Sequence, residues 1–146
     1  MNVIIMGCGR VGSYLATRLD REGHQVTVID LTATAFRRLP EEFKGQTVVG
    51  TGIDEQVLRM AGIASADAFV AVTQGDNRNI MAAQVAREIF GVRDVIARIY
   101  DPIREEVYRG LGLGTICPTR LISDMVHERL FGDEPARRDD RAGARR

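Results

Sequence analysis

The sequence predicts an α/β fold in which a doubly wound parallel sheet of about six strands is covered by helices on both faces. Short apolar segments alternate along the chain with segments of helical periodicity, and the apolar segments lack the alternation typical of a strand with one solvated face. The chain has 146 residues and a 45% hydrophobic content, which suits one domain with a continuous core.

The first strand and helix can be located from apolar residues and glycines. An apolar run at residues 3–6 ends at glycines, and Val11, Leu15 and Leu19 follow at helical spacing. Gly23 is expected to end this helix. The chain therefore opens with a strand, a tight turn and a helix.

The same alternation continues to residue 131. A capping carboxylate at Asp101 precedes Pro102, whose missing N–H costs nothing at a first helical position, so a helix is expected to start there. The remaining predicted elements are strands at 25–30, 47–49, 67–73, 95–100 and 115–117, and helices at 33–39, 54–61, 80–90, 103–109 and 119–131.

Residues 1–131 are thus predicted to form one domain, and residues 132–146 a disordered charged tail without apolar periodicity. Lys and Arg together number 20, as do Asp and Glu, so no overall basic field indicates nucleic acid as a partner. No apolar stretch approaches the roughly 20 residues of a membrane span. We therefore expect a cytoplasmic protein that reaches the membrane only through a partner.

The two cysteines predict neither a disulfide framework nor a metal site. Cys8 and Cys117 have no CxxC spacing and no neighbouring histidine cluster. Cys8 is expected at a helix N-terminus, a position that lowers a thiol pKa, so a redox-sensing role for it is an open alternative.

A glycine pattern after the first strand predicts a nucleotide-binding turn. Gly7, Gly9 and Gly12 match G-x-G-x-x-G between a strand and a helix, and Asp30 ends the second strand. In a Rossmann-like fold these glycines allow a tight turn beside a pyrophosphate, and the acid accepts hydrogen bonds from a ribose diol. A carboxylate there also repels a 2′-phosphate, so NAD(H) or a simple adenosine phosphate is favoured over NADP(H).

Three further segments carry a family resemblance: GTGID at 50–54, TQGDNRN at 73–79 and IARIYDP at 96–102. With the glycine turn, they make residues 1–131 similar to the RCK/KTN (TrkA N-terminal) domain family, the nucleotide-binding domains of bacterial potassium channels and of TrkA-type potassium uptake subunits. The resemblance implies NAD(H), ATP/ADP or AMP as ligand. It implies a homodimer, or a larger ring, that gates a membrane potassium transporter or channel.

The residues that match the family's pocket are expected to bind the nucleotide: Gly7, Gly9, Arg10, Gly12, Asp30, Thr51, Thr73, Asp76, Asn79 and Arg98. Arg10 could contact a terminal phosphate or remain solvated. Arg98 interrupts an apolar strand, where an unpaired charge is costly, so Asp101, another acid or a phosphate is expected as its partner. Residues 118–120 lack the acid that some relatives use for a cation, and no metal site is predicted.

From these observations we expect a regulatory, nucleotide-sensing subunit and not an enzyme. The alternative is an NAD-dependent oxidoreductase subunit without its own substrate domain. It is the second choice because hydride transfer needs a substrate pocket, which the residues outside the predicted domain cannot build. The apolar residues of the last helix lie along one stripe and could pack either on its own sheet or, as the resemblance implies, across a partner protomer: Leu121, Ile122, Met125, Val126 and Leu130.

Overall fold

The computed structural model describes residues 1–132, so the predicted tail lies, from residue 133 onward, outside the described residues. Six strands and five helices alternate along this part of the chain. The strands are β1 Asn2–Met6, β2 Gln25–Asp30, β3 Gln46–Val49, β4 Ala68–Ala71, β5 Asp94–Arg98 and β6 Gly114–Ile116. The helices are α1 Arg10–Arg21, α2 Glu55–Met60, α3 Asp76–Gln84, α4 Pro102–Gly110 and α5 Pro118–Phe131.

The strands form one parallel sheet in the order β3-β2-β1-β4-β5-β6. Strand β1 is central, and its Val3 pairs with Val26 on one side and Ala68 on the other. The chain moves outward from β1 in both directions, so the order reverses between β1 and β4. This confirms the predicted doubly wound, Rossmann-like fold. Ligands of such sheets bind beyond the carboxyl ends of the strands at the reversal.

Two apolar clusters cover the faces of the sheet and explain why its strands lack alternation. Val3 and Ile5 of β1 join the cluster that packs against α1, whereas Ile4 and Met6 join the larger cluster on the other face. Successive strand residues point to opposite faces, and here both faces are buried.

Two short helical segments differ in form from the predicted α-helices. The predicted helix at 33–39 is a 3₁₀ segment, Ala33–Arg38. The predicted helix at 80–90 begins earlier as α3, where Asp76 is its first residue, and continues into a π-helical segment at Val85–Ile89. The predicted cap of α4 is confirmed, since the Asp101 carboxylate accepts a hydrogen bond from Ile103 N at 3.0 Å.

Helix α5 leaves its apolar side chains exposed. None of its residues is buried, and Met125 and Leu130 are 66% and 67% exposed. Of the two arrangements open to this stripe, packing on its own sheet is therefore not observed. Within residues 1–132, no helix combines the length and the apolar character that a membrane crossing requires.

Candidate functional site

The glycine turn between β1 and α1 has the geometry that a close ligand requires. Gly7 has a φ of +110°, and a Cβ there would lie 3.0 Å from the backbone of Val72 and of Thr73. At Gly12 a Cβ would collide with the carbonyl oxygen of Gly7, so α1 packs directly on the turn. Space beside Gly9 is open, since a Cβ there would meet no atom within 4 Å. A phosphate could approach the backbone at this point.

Asp30, at the end of β2, is held beside this turn by backbone groups. One carboxylate oxygen accepts a hydrogen bond from Cys8 N at 2.8 Å, and the other accepts one from Thr32 N at 2.9 Å. Each oxygen can accept further bonds. The carboxylate is therefore fixed in orientation and keeps the capacity to bind a hydroxyl pair.

A cleft of about 950 Å³ opens at the carboxyl ends of the strands. It brings together seven of the predicted site residues: Gly7, Gly9, Arg10, Asp30, Thr51, Thr73 and Arg98. Its charged lining consists of four arginines and one carboxylate: Arg10, Arg38, Arg78, Arg98 and Asp30. A chain with no net charge thus concentrates positive charge in one cleft, where it suits a phosphorylated ligand.

Arg98 lies on the β5 side of the cleft and is held by carbonyl groups. Its Nη2 donates to Val72 O at 2.7 Å and to Thr73 O at 3.0 Å, and its guanidinium lies 4.9 Å from the centre of the Tyr100 ring. Asp101, one of its expected partners, instead caps α4. Within residues 1–132, no carboxylate forms an ion pair with Arg98.

Asn79 does not line the cleft, although the motif at 73–79 suggested a ligand contact. It is fully buried, and its Oδ1 accepts hydrogen bonds from Thr73 N at 3.0 Å and Thr73 Oγ1 at 2.6 Å. Its Nδ2 donates to Thr73 O at 2.8 Å and to Arg98 O at 2.9 Å. Asn79 therefore connects the end of β4 to the end of β5, and its amide oxygen and nitrogen form their hydrogen bonds within the protein.

Asp76 also turns away from the cleft. Its carboxylate accepts hydrogen bonds from Tyr100 N at 2.8 Å and Asp101 N at 3.1 Å, and Arg104 Nη1 lies 3.5 Å from it. These contacts join the start of α3 to the segment between β5 and α4. Gly12 lies outside the cleft wall as well, in agreement with the packing role expected for the third glycine.

Neither Arg38 nor Arg78 was among the residues expected to bind the nucleotide, although Arg78 lies within the motif at 73–79, yet both line the cleft. Arg38 ends the 3₁₀ segment that follows Asp30, and Arg78 lies in the first turns of α3. The available signal was positional, since both follow strands whose carboxyl ends form the site. Many solvated arginines occupy such positions, so position alone does not select them.

Cys8 differs from the expectation for a thiol at a helix N-terminus. It is fully buried, and the pKa of the Cys8 thiol is raised from 9.0 to about 11, with burial as the largest cause. The negative charge of Asp30 contributes to this rise, whereas the Arg38 guanidinium opposes it. Burial outweighs the helix terminus, so the expected lowering of the pKa is wrong and the thiol is poorly suited to redox sensing.

Fold and site together define a Rossmann-like domain with an arginine-lined cleft at the reversal of its strand order. Residues 3–118 match the model of the TrkA-N domain. The chain belongs to the TrkA-N domain family, as the resemblance to RCK/KTN domains predicted.

Two curated relatives show how much of a longer protein this domain represents. The chain is 54% identical over 145 residues to the Trk system potassium uptake protein TrkA of Streptomyces coelicolor, covering 98% of this chain and 65% of that protein. It is 37% identical over 108 residues to the Trk system potassium uptake protein TrkA homolog of Pyrococcus abyssi, covering 74% of this chain and 48% of that one. The chain thus spans less than two thirds of either relative.

Solved structures share the fold at lower sequence identity. The TrkA-N domain of the inner membrane protein ybaL from Escherichia coli has a TM-score of 0.78 and 22% identity, covering 88% of this chain and 96% of that one. The Kef CTD of Shewanella denitrificans in its AMP-bound form has a TM-score of 0.72 and 19% identity, covering 99% and 89%. The GsuK bound to ADP has a TM-score of 0.69 and 22% identity, covering 82% and 32%.

Proposed function

We propose that this chain is the nucleotide-sensing part of a regulatory subunit that controls a potassium uptake transporter or channel. One observation carries the proposal: a TrkA-N domain places an arginine-lined cleft beside an open glycine turn and an oriented carboxylate. The similarity to TrkA of Streptomyces coelicolor supports the link to potassium transport.

The proposed ligand is an adenine nucleotide: NAD(H), ATP or ADP, with AMP as a further candidate. The cleft volume of about 950 Å³ suits a molecule of this size. Two fold relatives are described as bound to AMP and to ADP. We assign the phosphates to the backbone at Gly9 and to Arg10, and the ribose hydroxyls to Asp30.

The other assigned contacts lie on strands beyond β2. Thr51 follows β3 and is assigned to the adenine side of the ligand, whereas Thr73 and Arg98 are assigned to the β4 and β5 side of the glycine turn. One bound nucleotide would thus touch groups at the ends of several strands. Sensing requires that two ligands differ in their relative affinity for two conformations, and different phosphate tails at the arginines supply such a difference.

We further propose that the subunit is a homodimer or a larger ring and that it lies at the cytoplasmic face of the membrane, bound to its transporter. Support comes from two exposed apolar surfaces. The stripe of α5 is exposed, and α4 together with its C-cap Leu111 exposes Ile103, Val107 and Leu111 at helical spacing. Pairing α5 of one protomer with a partner would remove this apolar area from water.

The same cleft gives little support to the alternative of an oxidoreductase subunit. Among the described residues that line it, Asp30 is the one carboxylate and is assigned to the ribose hydroxyls, and no histidine or second carboxylate is present to act as a general base. We therefore assign no catalytic residue, and expect the nucleotide to be recovered unchanged.

Calorimetric titration of the full-length protein with NAD⁺, NADH, ATP, ADP and AMP tests ligand binding. Potassium flux through the cognate transporter in liposomes, measured with each nucleotide at saturation, tests regulation. We expect at least two nucleotides to bind and to give different fluxes. A flux that ignores every adenine nucleotide, or steady NADH oxidation with a small substrate, would contradict the proposal.

A further inference from the structure

A second cavity lies on the outer side of the domain, along helix α1. It has a volume of about 900 Å³, and it is lined by α1 on one wall and by the 3₁₀ segment Ala33–Arg38 with the two residues after it on the other. We call it the arginine groove, since five arginines line it: Arg10, Arg18, Arg21, Arg37 and Arg38. Among the described residues that line it, Glu22 is the one acid.

Three of these arginines belong to the groove and not to the nucleotide cleft. Arg10 and Arg38 line both cavities, and they are left here to the nucleotide. Arg18, Arg21 and Arg37 line the groove alone, and all three are exposed. A set of accessible guanidinium groups therefore remains when the cleft is occupied.

The three arginines are only weakly neutralised by the protein. Arg18 pairs with Glu22 at 3.1 Å and Arg21 pairs with Glu42 at 3.0 Å, both between exposed side chains. Exposed ion pairs contribute at most about 1 kcal/mol, so carboxylates of another molecule can replace these two at little cost. In the described part of the chain, Arg37 forms no ion pair with a carboxylate.

The length and the apolar lining of the groove suit an extended peptide. Helix α1 has 12 residues and is about 18 Å long, which about five residues of extended chain would span. Tyr14 lies one turn before Arg18 and is 75% exposed, and Leu39 and Pro40 line the opposite wall. Tyrosine and arginine are both enriched in protein interfaces.

An anionic membrane surface fits the groove less well than a peptide does. The arginines line two walls of a concave surface, whereas the headgroups of a bilayer form a broad, nearly flat surface. The exposed carboxylates of Glu22 and Glu42 lie beside the same arginines and would be repelled by anionic lipids. A narrow acidic segment can instead bind the arginines without covering these glutamates.

We infer that the arginine groove is a docking site for an extended acidic segment of a partner protein. The carboxylates of this segment bind Arg18, Arg21 and Arg37, and one of its apolar or aromatic side chains packs on Tyr14. The site is separate from the contacts assigned to the nucleotide, so it goes beyond the proposed sensing function and does not depend on it.

Fluorescence anisotropy of a labelled acidic peptide, Glu-Glu-Tyr-Glu-Glu-Tyr-Glu-Glu, with the full-length protein tests the inference. At low ionic strength and with saturating ADP, we expect the peptide to bind and its glutamine counterpart not to bind. Arg18→Glu and Arg37→Glu should each weaken binding by about ten-fold, because a like charge then faces the peptide.

Arg59→Glu is the matched control for Arg18→Glu. Arg59 is also exposed and pairs at 3.1 Å with a glutamate four residues away, Glu55, but it lies on α2 and outside the groove. This variant should change peptide binding by less than about two-fold, since it alters the net charge of the protein equally without touching the groove.

Four results would overturn the docking site: a parent protein that does not bind the peptide; binding that saturating ADP abolishes, which would place the peptide in the cleft; groove variants that melt and bind as the parent does; and binding to phosphatidylserine vesicles in preference to the peptide. A separate titration with ADP alone shows whether the nucleotide binds. If it does not, the proposed nucleotide sensing fails, and the effects of Arg18→Glu and Arg37→Glu still decide whether the groove binds the peptide.

Discussion

The two sides of the nucleotide cleft use polar groups in opposite ways. On the side of β1 and β2, Gly9 has open space and Arg10 is exposed, so both can contact a ligand. On the side of β4 and β5, Asn79 and Asp76 are bonded to the protein itself. The first side is the one that we propose to bind the phosphates and the ribose, whereas the second, although Arg98 also lines the cleft there, holds strand ends and helices in a fixed relation.

The same difference bears on how ligand binding could be transmitted from the cleft to other elements of the fold. The Asp76 contacts reach the segment before α4, and Arg120 in the first turn of α5 donates to Pro102 O at 3.3 Å. The β4 and β5 side is thus connected, through α4, to the exposed helix. Substitutions on the β1 and β2 side are therefore expected to change ligand binding, and substitutions on the β4 and β5 side to change stability.

The largest effect is expected on stability, from Asn79→Ala. The substitution removes four hydrogen bonds of a fully buried amide, including those to the Thr73 N–H and the Arg98 carbonyl. We expect a loss of about 3 kcal/mol in the free energy of unfolding, measured by urea denaturation. Asn77→Ala, at an exposed position of the same helix, is the control and should cost less than about 0.5 kcal/mol. Equal losses for both variants would contradict the framework role.

A second substitution should act on binding. Asp30→Ala removes the acceptor assigned to the ribose hydroxyls, and we expect AMP or ADP binding to weaken by about 2 kcal/mol in calorimetric titrations. Asp30→Asn, which keeps one acceptor oxygen, should lose less. Because the alanine variant also frees two backbone N–H groups, its melting temperature must be compared with that of the parent. Unchanged affinity in a folded Asp30→Ala variant would refute the ribose assignment.

A third substitution tests assembly, because α5 is connected through α4 to the β4 and β5 side of the cleft. Met125→Asp places a charge in the exposed apolar stripe, and we expect the dimer to be weakened by roughly 2 kcal/mol, measured by light scattering over a dilution series. Asp124→Lys changes charge on the other face of α5 and should leave the dimer intact. A monomeric parent protein at micromolar concentration would show that the stripe does not pair protomers.

The smallest effect is expected on the pH dependence of the free energy of unfolding, from Cys8 on the β1 and β2 side of the cleft. Because burial and the nearby Asp30 charge raise the pKa of the Cys8 thiol from 9.0 to about 11, the unfolded chain releases this proton at a lower pH than the folded chain does. The free energy of unfolding should therefore fall between pH 9 and 11, by at most roughly 2 kcal/mol from this group. Cys8→Ala should have a shallower decline over that range in urea denaturation. Identical slopes for parent and variant would indicate that the thiol does not titrate differently on unfolding.

Local patterns in the sequence predicted most of the fold and several of the residues that line the β1 and β2 side of the cleft. Apolar segments and glycines located all six strands, and the sequence order of the glycine turn and Asp30 indicated that they lie side by side, as the structure shows. The expectations for Asp76 and Asn79 were less accurate, because a motif gives the positions of side chains along the chain and not the directions in which they point.

What the sequence by itself determined is the order of strands and helices along the chain and the tight turn after the first strand, because these depend on short-range periodicity and on backbone freedom at glycine. Only the tertiary structure decided which arginines surround the cleft. Arg38 and Arg98 are far apart in sequence and meet because parallel strands bring their carboxyl ends to one edge. It also decided that Asn79 faces the protein interior and that the apolar stripe of α5 lies in solvent, since both outcomes depend on how the helices pack against the sheet.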